Sequence, residues 1–218
     1  MQCVTVKTIL ATYQEVVARK KLTPGQQKAL LAAIELFAKQ GYDATSTAQI
    51  ASWAHISEGT IFKYYPSKEQ LLLAVVELLT NDLLPQLQAE FLAKVVASDK
   101  VALPALVRVI VTDRLAFMKA NQQLLRILLQ EGLTKPKVRT LVSQGFSQSL
   151  KANGEVFTRF LTLVNHRHPD YEPAVIIRLI LGPLVTYFSQ RFILAPDLAY
   201  NEKRDIDLMV TQIVAGLS

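Results

Sequence analysis

Residues 46–71 read STAQIASWAHISEGTIFKYYPSKEQL, and this stretch decides the fold. Ser46 followed three residues later by Gln49 is a capping box, which opens a short helix through Ile50, Ala51 and Trp53. Ser57 caps a second helix, and Ser67 with Gln70 is a further box that starts a third through Leu71, Leu72, Val75 and Leu79. Between the first two helices lies a sharp turn at His55-Ile56. A helix-turn-helix needs a small residue where its helices touch and apolar residues on both inward faces. Ala51 meets the first demand; Ile50, Ile56 and Ile61 meet the second and form the core of the motif. The outward face of the second helix then carries Glu58, Thr60, Lys63 and Tyr64.

Upstream, Thr23, Pro24 and Gln26 are the start signals of a preceding helix with a buried stripe of Leu30, Ala33, Ile34 and Phe37. Gly41 ends it, placing Tyr42 within reach of Phe37. Three short helices thus fill about 45 residues, a tri-helical domain whose boundaries are read as 23–82. Before it, Val6, Ile9, Leu10, Tyr13, Val16 and Val17 recur at helical spacing, so residues 1–22 form an amphipathic helical extension closed by Arg19-Lys20-Lys21. Two readings of the extension stand: a helix packed on the next domain, or an arm bringing three cations to DNA phosphates.

Downstream, apolar periodicity places longer helices near Gln86–Val96, Leu103–Ala120, Gln122–Gly132, Lys137–Asn165, Glu172–Leu194 and Lys203–Gly216. The expected fold class is therefore all-α, with an N-terminal tri-helical helix-turn-helix domain joined to a larger helical domain over 83–218. In the last two helices, Ile180, Leu184, Tyr187, Phe188 and Ile213 belong to surfaces apolar most of the way round. Such helices must be buried on several sides. A lone helix-turn-helix binds too weakly for useful specificity, so a homodimer on a palindromic DNA site is expected, with these residues at its interface. Burial within one subunit is the alternative.

Bulk properties narrow the function. Half of the 218 residues are hydrophobic, ample for a core. Cys3 is the sole cysteine, which excludes an intrachain disulfide and suits a reducing cytoplasm. The net charge of +6 suits a polyanionic partner, but residues 1–80 hold 8 Lys/Arg against 6 Asp/Glu, so charge alone does not locate the DNA face. The N-terminus lacks the unbroken apolar core of a secretion signal. The stretch from Ala174 to Ala195 is the most membrane-like, but its longest uncharged run, Leu179 to Gln190, falls short of the roughly 20 residues a span requires. No phosphate-binding glycine loop, paired catalytic carboxylates or activated nucleophile is evident, so neither an enzyme nor a cofactor is expected. His166-Arg167-His168 invites a metal reading, with a polar helix end as its rival, and no metal is expected.

The run from Ser46 to Ala51 followed by Ile56 to Leu71, together with Ala33 to Tyr42, resembles the N-terminal signature of TetR-type transcriptional regulators. The match covers about residues 24–76. It implies a cytoplasmic, nucleoid-associated bacterial regulator, a ligand-responsive repressor, that binds double-stranded DNA through Thr47, Ser57, Gly59, Thr60, Lys63, Tyr64 and Lys68. It also implies a two-fold four-helix dimer interface and a small-molecule effector pocket, with Arg114, Phe117, Met118, Phe157, Phe160 and Leu161 as candidate lining residues, for each of which ordinary core packing is the competing reading. Two positions depart from the family pattern: His55 stands where Gly is usual in the turn, and Phe62 where Tyr is frequent. The alternative function is a TetR-like DNA-bound scaffold or nucleoid-associated factor whose C-terminal domain binds protein rather than a small molecule.

Overall fold

The computed structural model describes residues 9–96, 102–152 and 170–217. All regular structure among them is helical: α1 Ile9–Arg19, α2 Pro24–Gln40, α3 Thr47–Ala54, α4 Glu58–Tyr64, α5 Lys68–Leu78, α6 Leu84–Val96, α7 Leu103–Ala120, α8 Gln122–Thr134, α9 Pro136–Ala152, α10 Pro173–Ser189 and α11 Glu202–Leu217. A π-helical turn at Leu79–Leu83 joins α5 to α6, and a second at Gln190–Leu194 extends α10.

The packing divides the chain differently from the expected boundary at 82/83. One compact unit comprises the chain up to Leu87 together with Asn121–Ser149; the other comprises Gln88–Ala120 and the chain from Leu150 onward. The helical hairpin α8–α9 is thus part of the helix-turn-helix unit. Its chemistry explains why. The buried Asn121 side chain accepts a 2.6 Å bond from the Ile9 backbone N–H, giving the first turn of α1 a partner from α8. On α9, Gly145 lies so close to the π turn that a Cβ there would sit 2.6 Å from Thr80 Cβ.

From Ile9 to Arg19 the extension is a packed helix. Ile9, Tyr13, Val16 and Val17 of α1 are buried, worth about 1.5–3 kcal/mol per aliphatic side chain. Its basic end makes protein contacts: Arg19 lies 3.8 Å from Glu15, and Lys20 pairs with Asp82 at 2.8 Å. The boxes at Thr23/Gln26 and Ser46/Gln49 form in both directions, while at Ser67 the bond from the Gln70 N–H to the hydroxyl is present alone. Phe37 and Tyr42 meet across the end of α2 with ring centroids 5.3 Å apart.

In the second unit, α7, α10 and α11 enclose a core of Leu106, Val107, Val111, Ile176, Ile180, Leu184, Val210 and Ile213. This corrects the placement of the interface residues. Ile180, Leu184 and Ile213 are at most 9% exposed within one chain, because α10 and α11 turn their most apolar stripes onto α7 and each other; Phe188 is enclosed too, its ring centroid 5.2 Å from that of Phe192. Tyr187 is half-buried, edge-on to Tyr200 at 6.1 Å. Ala174–Leu194 is long and apolar enough to cross a membrane by length and composition; within it Ile176, Ile180 and Leu184 face this core, and Phe188 is buried as well.

Candidate nucleic-acid interface

The helix-turn-helix is built from α3 and α4. Ile50 and Ile61 are fully enclosed, Ala51 is buried and Ile56 is half-buried in the turn, so the four core residues sit together as the sequence pattern requires. His55 adopts the left-handed conformation at φ 52 and ψ 48, and its N–H closes α3 on the carbonyls of Ala51 and Ser52. Only this backbone twist lets Ile56 fold back toward Ala51, where its N–H reaches the Ala51 carbonyl at 3.1 Å.

The seven residues named for DNA contact fall into three groups. Gly59 and Lys63 are exposed on the outer face of α4, as is Glu58 beside them. Ser57, Thr60 and Tyr64 support the helix as well as face outward. The Ser57 hydroxyl accepts from the Thr60 N–H at 3.1 Å and lies 2.8 Å from the Thr60 hydroxyl. Thr60 and Tyr64 also crowd Gly25 of α2, where an added Cβ would lie 3.1 Å from Thr60 Cγ2 and 3.2 Å from Tyr64 Cε2. The absence of a side chain at Gly25 therefore sets how closely the recognition helix approaches α2. The Lys63 ammonium lies 5.6 Å from the centre of the Tyr64 ring, leaving it near the rim of the same face.

Thr47 and Lys68 are committed elsewhere. The Thr47 hydroxyl donates to the Glu58 carboxylate, so the proton it would offer a phosphate is held by an acid on the neighbouring helix. The Lys68 ammonium donates to the backbone carbonyls of Tyr42 at 3.0 Å and Thr45 at 2.9 Å. It also lies 4.3 Å from the centre of the Tyr42 ring. An ammonium carries three N–H donors, and the carbonyls at the end of α2 take up most of that capacity. Lys68 is thus a tie between α5 and the α2–α3 loop. Lys135, from the α8–α9 turn, faces the Tyr42 ring as well, at 4.7 Å, and is itself paired with Glu131 at 2.7 Å. That ion pair, with Glu131 as the main cause, raises the Lys135 pKa.

Two exposed aromatics on this motif went unassigned in the sequence: Trp53 on α3 and Phe62 on α4 are 50% and 44% exposed. Trp53 is anchored by its indole N–H, which donates to Glu35 at 2.8 Å. Phe62 was legible as a departure from the family's frequent Tyr but not as an exposed ring, because its exposure depends on which face of a seven-residue helix meets α2.

Of the effector-pocket candidates, Arg114, Phe117 and Met118 lie on α7, whereas Phe157, Phe160 and Leu161 lie outside the described residues. The Arg114 guanidinium sits 3.9 Å and 4.9 Å from the ring centres of Phe91 and Phe117 and pairs with Asp113 at 2.5 Å. Burial pushes its pKa down and the Asp113 pair pulls it back up. Arg108 pairs with Asp207 at 2.6 Å, while Arg126 and Arg178 are exposed. No group of three or more His, Cys, Asp or Glu gathers among the described residues, and His166-Arg167-His168 lies outside them.

Comparison with known proteins matches this geometry. Residues 29–75 match the model for bacterial regulatory proteins of the tetR family. A "Fatty acid metabolism regulator protein" of Bacillus subtilis is 27% identical over 84 residues, 38% of this chain and 43% of that protein. The chain thus aligns with less than half the length of this relative. A longer match runs over 165 residues at 27% identity, 72% of this chain and 78% of the "Nucleoid occlusion factor SlmA" of Pasteurella multocida. Among solved structures, the transcriptional regulator FadR of Bacillus subtilis in complex with stearoyl-CoA superposes with a TM-score of 0.56 at 14% identity, covering 87% of this chain and 96% of that one. At that identity the likeness is one of fold: a helix-turn-helix domain followed by a helical domain. The family resemblance is thus carried by residues 29–75, which match the tetR family of bacterial regulatory proteins.

Proposed function

We propose that the protein is a transcriptional repressor that binds a palindromic operator as a homodimer and releases it on binding an effector. The observation that carries this reading is α4: a short helix, pinned by Ile61 inside and by the left-handed His55 turn, whose outer face presents Glu58, Gly59, Phe62 and Lys63 to solvent. A helix held so firmly at its back and left bare at its front is suited to a major groove. Tyr64 and the helix ends frame it with phosphate-binding groups. The dimer surface falls on the outward residues of α10 and α11, among them Val185 and Leu208, at 40% and 56% exposed. The buried Ile180, Leu184, Phe188 and Ile213 stiffen those helices from behind.

The effector class is long-chain acyl-CoA, carried over from the regulators whose names specify fatty acid metabolism and stearoyl-CoA. Arg114, Phe117 and Met118 on α7 are its candidate lining here. The test is binding of purified full-length protein to DNA upstream of its own gene across a salt series, then with stearoyl-CoA added. A specific complex whose affinity falls steeply with salt and is lost on adding the acyl-CoA supports the reading. Absence of salt-dependent DNA binding overturns it.

The scaffold reading retains one observation in its favour: the match to a nucleoid occlusion factor extends over 72% of the chain, well beyond the DNA-binding segment. It expects DNA binding that is indifferent to acyl-CoA.

A further inference from the structure

We propose that Phe62 reads a thymine: its ring packs against the C5-methyl group of one thymine in each half-site. This rests on the DNA-binding reading above and deepens it. On a 3.6-residue helix Phe62 follows Ile61 by about 100°. With Ile61 fully enclosed, Phe62 is swung out to 44% exposure. It shares its face with Glu58 and Gly59, one turn toward the N-terminus. Helical side chains lean toward that end, so the surface beside Phe62 is the one Gly59 leaves bare. A Cβ built at Gly59 would meet only the Ser57 hydroxyl, at 3.8 Å. The N-terminal residues of a recognition helix reach base edges, and Phe62, the fifth of the seven residues of α4, leans over them.

The chemistry of the side chain narrows the ligand. A phenyl ring carries no donor or acceptor, so it cannot bind a phosphate or a base edge by hydrogen bonding. The one apolar group that the major groove offers is the thymine methyl. The neighbouring polar groups are already oriented: Glu58 by the Thr47 hydroxyl, Lys63 near the Tyr64 ring. Phe62 thus adds an apolar element of sequence discrimination to a helix that carries no arginine.

The experiment uses the full-length protein and a duplex enriched from a random pool by the wild type. Each thymidine is replaced in turn by deoxyuridine, which deletes only the methyl group. One position per half-site should lose affinity by about 4-fold, the worth of one buried methyl. In Phe62→Ala, with melting temperature checked, that position alone should become insensitive to the replacement. A uniform loss across all sequences, or uracil sensitivity that persists at every position in the variant, overturns the proposal. So does a wild-type scan without any sensitive position, a result that needs no variant. Failure to enrich any duplex strikes the DNA-binding reading itself and takes this inference with it.

Discussion

Lys68 holds Tyr42 twice: its ammonium nitrogen lies 3.0 Å from the Tyr42 carbonyl oxygen and 4.3 Å from the centre of the Tyr42 ring. The same ammonium reaches the Thr45 carbonyl at 2.9 Å. Removing the charge leaves carbonyls at the end of α2 without their partner. Lys68→Met, which keeps the stem, should destabilise the protein by about 1.5–3 kcal/mol, the range for hydrogen bonds to charged groups. Thermal unfolding checks this. An unchanged melting temperature together with weaker DNA binding would return Lys68 to the phosphate-contact role that its sequence position suggested.

Two helical glycines should respond in opposite directions to the same substitution. In Gly145→Ala, the new Cβ lies 2.6 Å from Thr80 Cβ and 3.1 Å from the Thr80 carbonyl oxygen. Because part of the obstacle is backbone, α9 must shift, at about 1–3 kcal/mol. Around Gly132 nothing lies within 4 Å of the added Cβ, so Gly132→Ala should stabilise α8 by up to about 1 kcal/mol through helix propensity alone. Urea midpoints of the pair decide it; a stabilised Gly145→Ala would show that α9 does not press on the π turn.

His55 is the only non-glycine residue with positive φ among those described. Left-handed backbone costs an ordinary residue roughly 1–2 kcal/mol, and the greater freedom of glycine when unfolded gives part of that back. His55→Gly should therefore raise stability by about 0.5–1 kcal/mol with the DNA face unaltered. A loss of stability would mean that the imidazole makes contacts outweighing the backbone strain.

The tyrosines predict the alkaline limit of the fold. Burial pushes the Tyr65 hydroxyl up to about 12, and that of Tyr13 well above its ordinary value of 10. Unfolded, both ionise near 10, so the folded state retains protons that the unfolded state loses. Stability is thus unaffected by these groups below pH 10 and declines as pH rises from there toward 12. Tyr65→Phe should flatten that decline, as measured by unfolding at pH 9, 10 and 11. Tyr13→Phe should do the same and cost little at neutral pH, since its enclosed hydroxyl lacks a hydrogen-bond partner among the described residues. An equally steep alkaline loss in both variants would place its origin elsewhere.

Much of the helix-turn-helix was legible in residues 46–71 because its determinants are local. A serine three residues before a glutamine, a small residue at a crossing and apolar residues at helical spacing act over one or two turns, within reach of sequence reasoning. The left-handed turn at His55 was legible from the family resemblance, in which Gly is usual at that position. What the sequence left undecided were matters of direction. An apolar stripe on α10 and α11 reads the same whether it faces another subunit or its own core; only the packing of these helices with α7 sent Ile180, Leu184 and Ile213 inward. Lys68 reads as a phosphate ligand until the end of α2 is brought to it from 26 residues away in the chain.

The sequence by itself thus determined that the chain is helical, where its DNA-binding helices start and stop, and which residues hold them together. Tertiary structure alone decided that α1, α8 and α9 belong to the same unit as those helices, and which cations are spent on the protein itself. The physical reason is range. Capping and periodicity are settled between neighbours in the chain, whereas Ile9 finds Asn121, and Gly145 finds Thr80, only once the whole unit has folded.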